Sequence, residues 1–282
     1  GILEVHAKGK PMADGVSLEV IAKETPGFSG ADLANIVNEA AILAARRDLT
    51  AIGLKEFEDA IDRIIAGPEK KSQIMSKKEK EITAYHEAGH ALVGKMLPDA
   101  DPVHKISIVA RGMMGGYTRF LPVEDRHFWT TLQLDALLAV NMGGRTAEKV
   151  VFGDKSTGSA HDIEQATKIA RKMVTEYGMS DKLGPRTFGR KEELVFLGRE
   201  ISEQRNYGDR MADEIDSEVN DIIDRAQLLA EKIITENRTK LNQIADMLME
   251  KETIEGAELA ALFAAPVSQQ EEVAPSPQAQ AS

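Results

Sequence analysis

The sequence predicts a mainly α-helical protein built from two units, with one small β-hairpin or sheet in the second. Three observations carry this expectation. Charged residues make up 29% of the chain and aromatic residues 5%, a balance that suits solvated helices and is poor in the side chains that stabilise β-sandwiches. Apolar residues recur at helical spacing along most of the 282 positions. Gly67-Pro68 and the charged run behind it interrupt that pattern, because proline cannot continue a helix.

The first unit opens with a short helix over 17–23, carrying Leu18, Val20 and Ile21, and a turn at Thr25-Pro26-Gly27. Ser29 can cap a longer helix whose inner face is Leu33, Ile36, Val37, Ala40, Ala41, Leu43 and Ala44. A third helix near 54–65 closes the unit. In the second unit a helix over about 78–97 is stopped by Pro98, and the alternation of Ile106 and Ile108 reads as a strand over 103–110. The turn 111–116 leads to a short strand over 117–121. Helices are expected over 130–151, 162–177, 207–236 and 239–249. Residues 265–282, rich in Gln, Glu, Ala, Pro and Ser, cannot offset the entropy of ordering and are expected to be a disordered tail.

Composition narrows the function classes. A formal charge of −11 argues against nucleic acid as a partner, and the basic residues over 70–80 read as a solvated linker and helix start. Zero cysteines leave only His and carboxylates as metal ligands. No apolar run approaches the ~18 residues that a membrane helix needs, so the chain as given is expected to be soluble.

The sharpest feature is His86-Glu87-Ala88-Gly89-His90, an H-E-x-x-H run. On a helix a four-residue step puts both imidazoles on one face, one turn apart, where their nitrogens can reach a single Zn²⁺. Glu87 stands beside that face as a general base for a water that the metal acidifies toward a pKa of ~7. Small Ala88 and Gly89 between the ligands let another backbone come close. A catalytic zinc needs a third protein ligand, and the positions that a longer H-E-x-x-H signature would use hold Val93 and Met96. Candidates further along are His104, Glu124, Asp125, His127, Glu148, Asp154, His161 and Asp162, and spacing does not choose among them.

Several segments together resemble one family. They are T-A-Y-H-E-A-G-H-A over 83–91, D-P-V-H-K over 101–105, S-T-G-S-A-H-D-I over 156–163, M-V-T-E-Y-G over 173–178, L-G-P over 183–185 and V-F-L-G over 195–198. The chain resembles the FtsH family of membrane-anchored AAA+ zinc proteases over nearly its whole length. T-P-G-F-S-G-A-D-L over 25–33 and N-E-A-A over 38–41 look like the helical lid of an AAA+ ATPase, while the phosphate-binding G-x-x-x-x-G-K-[ST] loop is absent. The resemblance implies a lid over 1–67, a linker over 68–79, a mostly helical zincin-type peptidase domain over 80–264 and a tail over 265–282.

It also implies Asp162 as the third zinc ligand beside His86 and His90; the alternative is that Ser159 and Asp162 form a capping box opening the next helix. Glu148 matches an acidic position near the zinc helix, which suggests that it orients a ligand imidazole, with Lys149 where a second acid is frequent. His161 stands where the family often has Asn, so its nitrogen could compete for metal or substrate. Gly143 and Gly144 read as a tight helix contact. The edge of the strand over 117–121 could pair with an extended substrate.

The expected function is therefore a zinc endopeptidase that degrades unfolded or unassembled proteins, membrane proteins included. It would be the proteolytic part of a homohexameric machine at the cytoplasmic face of the bacterial inner membrane, with ATP and Mg²⁺ used by a portion outside this chain. Two weaker readings are a non-catalytic assembly module with a structural zinc, and a lid-type interaction domain. An intact Glu87 favours the enzyme, because a structural zinc has no need of a base.

Overall fold

The structure, a computed structural model, describes residues 1–69, 75–112, 115–123, 126, 128–191, 203–204 and 206–264. The first four helices are α1 (Ile2–Ala7), α2 (Leu18–Lys23), α3 (Gly30–Arg46) and α4 (Leu54–Ala66). Ser29 caps α3 in a reciprocal box with Asp32, which satisfies amide groups that the first helical turn leaves bare. The apolar faces of these helices meet in one cluster around Ile21, Ile36, Val37, Phe57 and Ile61, all fully buried. Helix α1 was not expected: it is as short as α2 but has no capping side chain at its start.

A second cluster holds the rest. Its central element is α5 (Lys77–Met96), capped by the Ser76–Glu79 box, with α6 (Thr131–Phe152) laid against it. Small residues permit that contact. A Cβ on Gly89 would lie 2.4 Å from the Gly143 carbonyl oxygen, and one on Gly143 would lie 2.8 Å from that of Gly89, so the two backbones touch where larger side chains would hold them apart. The tight contact expected of Gly143 thus falls on the helix that bears the motif.

After α6 come a short 3₁₀ turn (Thr157–Ser159), α7 (Ala160–Thr175), α8 (Asp209–Glu236), α9 (Arg238–Lys251) and α10 (Gly256–Ala264). Helix α8 covers α6 and α7, and α9 packs along α5. Beside α5 stands a three-stranded antiparallel sheet of β1 (Val103–Ser107), β2 (Tyr117–Phe120) and β5 (Thr253–Glu255), in the order β2-β1-β5. The first strand is shorter than the expected 103–110. It ends where the amide of Ile108 bonds the Glu252 carbonyl, outside the ladder. Strand β5 went unforeseen because three residues carry no readable alternation. Two further strands, β3 (Arg190–Lys191) and β4 (Glu203–Gln204), pair as an antiparallel ribbon. Among the described residues no helix is long and apolar enough to cross a membrane. The V-F-L-G segment and the expected tail lie outside the described residues.

Candidate active site

Helix α5 carries His86, Glu87 and His90, all buried. The imidazole Nε2 atoms of His86 and His90 lie 3.0 Å apart, one helical turn separating their backbones. Helix α7 brings in Asp162, whose Oδ2 is 3.2 Å from His86 Nε2 and 3.5 Å from His90 Nε2. These three residues offer ligand atoms that all lie within 4.8 Å of one another, and among the described residues no other such group occurs.

Both rings are turned by bonds on their far side. His86 Nδ1 bonds Glu148 Oε1 at 2.7 Å, and His90 Nδ1 bonds the Val140 carbonyl at 2.7 Å. Those oxygens accept from each Nδ1–H, which turns each Nε2 inward, where loss of its proton to a metal would free a lone pair as ligand. Glu148, on α6, is itself held by the amide and hydroxyl of Ser156. Gly144 completes the wall: a Cβ there would lie 2.5 Å from His86 Nε2 and 2.6 Å from His90 Nε2.

Glu87 faces the other way, toward β2. Its Oε2 accepts from the Thr118 hydroxyl at 2.8 Å, and burial pushes its carboxyl up, against the charges of His86 and His90 and that hydrogen bond. Burial alone would lower His86, yet hydrogen bonds with Asp162 and Glu148 and the charge of Glu87 outweigh it and push the imidazole up to about 10. Burial would raise Asp162, but hydrogen bonds from His86 and His90 hold its carboxyl below the usual range. Three carboxylates and two imidazoles thus line the pocket. Two inward nitrogens and one oxygen are the donors zinc takes in catalytic sites, so the residues fit that ion.

The other candidates are elsewhere. His161 is exposed and stands outside the cluster, because the first turn of α7 points Asp162 inward and its neighbour outward. Ser159 is the N-cap of α7 but makes no side-chain cap bond, so Asp162 is not half of a capping box. Asp154 is exposed and accepts from the amide of Lys155. His104 lies on β1 and accepts at Nδ1 from Arg119 Nη2, 2.8 Å away. Glu124, Asp125 and His127 lie outside the described residues. The Val140 carbonyl and Thr118 were not singled out in the sequence, and Gly144, expected in a tight helix contact, instead lies against both imidazoles: a backbone acceptor has no residue signature, and the other two depend on which elements meet.

Comparison with known proteins places these features in a family. The model for peptidase family M41 matches residues 73–262, and that for the AAA+ lid domain matches 15–59. The chain is 64% identical over 265 residues to "ATP-dependent zinc metalloprotease FtsH 1" of Sphaerobacter thermophilus, covering 94% of this chain and 41% of the relative. It is 62% identical over 274 residues to the protein of the same name from Thermomicrobium roseum, covering 97% and 42%. With "ATP-dependent zinc metalloprotease FtsH 3" of Synechocystis it shares 52% over 268 residues, covering 93% and 44%. The chain thus spans about two fifths of the length of these curated relatives. The first of the two matched models extends over about two thirds of the chain, the cluster of His86, His90 and Asp162 included, and the chain belongs to peptidase family M41.

Proposed function

We propose that this chain is the peptide-cleaving part of a zinc-dependent endopeptidase, with His86, His90 and Asp162 as the metal ligands and Glu87 as the general base. The observation that carries the reading is the convergence of two inward-facing Nε2 atoms and one carboxylate oxygen beside a buried glutamate. When bound, the zinc acidifies water and polarises the scissile carbonyl. Glu87 takes the proton of the attacking water and returns it to the departing amine. Glu148 and the Val140 carbonyl keep the ligand rings oriented.

Strand β2 is one of the two outer strands of its sheet, and Thr118 on it touches Glu87. An extended polypeptide added at that edge would lie along the site, held mainly by backbone bonds and so with little sequence preference. This suits an enzyme that degrades unfolded or unassembled chains. The names of the relatives, and a match to an AAA+ lid, support a larger ATP-driven protease in which the lid joins an ATPase portion. Assembly as a homohexamer, attachment to the bacterial inner membrane and a cytoplasmic face belong to the same reading, as does the use of ATP and Mg²⁺ by a portion outside this chain.

The test is Glu87→Gln in the zinc-loaded protein, with zinc content and digestion of an unfolded protein measured together. Zinc should stay and cleavage should fall by at least about a hundredfold. Cleavage at the wild-type rate with zinc in place would remove the base assignment.

A further inference from the structure

The carboxylate of Glu87 rests against one short segment. Its Oε2 accepts from Thr118 Oγ1, and a Cβ on Gly116 would lie 2.9 Å from its Oε1. The Thr118 hydroxyl also lies 3.1 Å from the Glu87 carbonyl. Among the described residues this hydroxyl supplies the hydrogen bond to the Glu87 side chain. A glutamate carboxylate, carried on three rotatable side-chain bonds, can take many orientations; this contact selects one.

The next residue on β2 faces the opposite side, as alternation along a strand requires. There Arg119 meets the lid: its Nη1 is 3.4 Å from Asp62 of α4, and its Nη2 is 3.5 Å from Glu24, just past α2. Lys105, opposite Arg119 in the β1–β2 ladder, bonds Asp62 at 2.8 Å. All four of these charged residues are buried. One lid carboxylate therefore grips both strands, and separating buried opposite charges is costly.

We propose that Thr118 is a positioning residue for Glu87, and that Asp62, acting through Arg119 on the same strand, keeps the Thr118 hydroxyl aligned with that carboxylate. The position of the lid thereby reaches the catalytic base across two adjacent residues of β2. The inference rests on Glu87 being the base.

The experiment compares variants of the zinc-loaded protein on a short unstructured fluorogenic peptide, reading kcat, KM and zinc content. Thr118→Val keeps the side-chain shape and removes the hydroxyl. It should lower kcat about tenfold with KM and zinc content unchanged, and Thr118→Ser should restore the rate. Asp62→Asn should lower kcat severalfold, and should lower it no further in the Thr118→Val background. Should Asp62→Asn fail to fold, Glu24→Gln in the same cluster answers the same question. An unchanged kcat in Thr118→Val, or a loss confined to KM, would overturn the role of Thr118. Effects of the lid variant and Thr118→Val that simply multiply would overturn the role of Asp62. Full cleavage by Glu87→Gln would instead remove the base assignment itself, so the two failures are distinct.

Discussion

The protein buries charge on each side of β2, and the two clusters are built on different plans. Between the first helical unit and the sheet, Lys105 and Arg119 face Asp62 and Glu24, and Lys105 also meets Glu255 at 2.7 Å. Burial alone would lower Lys105, but Asp62 and Glu255 outweigh it and raise it. His104 is held down by burial and by the charge of Arg119, as befits a ring that accepts a hydrogen bond from it. In this cluster each acid has a fixed cation of the protein within ion-pair distance. Around α5, Glu87, Glu148 and Asp162 lie about two imidazoles, and among the described residues no Lys or Arg forms an ion pair with them. An imidazole can give up its inward proton to a cation where Lys and Arg cannot, so the difference separates a structural joint from a site that can take a metal.

Breaking the cluster around Lys105 and Arg119 should have the largest effect on stability. Asp62→Ala leaves two buried cations without their shared partner, and a loss of about 3–5 kcal/mol is expected in denaturant unfolding. A smaller effect is expected around the imidazoles when the support of a ligand is removed. Glu148→Gln should weaken zinc binding by about 10–100-fold in a competition titration, with the unfolding midpoint of the metal-free protein nearly unchanged. If instead Glu148→Gln destabilises the metal-free protein as much as Asp62→Ala does, the contrast between joint and metal site fails. Ser29→Ala, distant from both clusters, removes one cap bond of α3 and should cost about 1 kcal/mol in the same measurement, without change in zinc affinity. A zinc-affinity loss in that variant would mean that the lid as a whole bears on the site, not the Asp62 joint alone.

Most helices were legible because each is long and periodic: α3, α4, α5, α6 and α8 all carry apolar faces that spacing displays. The pieces that escaped are short. Helix α1, strand β5 and helix α10 have six, three and nine residues, and what holds them is contact with other elements. In the site the pattern repeats. His86, Glu87 and His90 stand within five residues of each other, so helical geometry alone sets their relation. The eight candidates for a third ligand could not be ranked by spacing; resemblance to a family favoured Asp162, and packing of α7 brings that residue to 3.2 Å from His86. Packing also takes His104 into the lid joint and leaves His161 outside.

By itself, the sequence determined that the protein is mainly helical and that a pair of imidazoles and a glutamate share one helix, because both follow from interactions along a continuous stretch of chain. Only the tertiary structure decided which carboxylate joins the imidazoles, which groups turn their rings, and that β2 lies between the lid and Glu87. Those relations depend on how closely α5 and α6 approach at Gly89 and Gly143 and on where the sheet meets the lid, and such distances are set by packing between segments far apart in the chain.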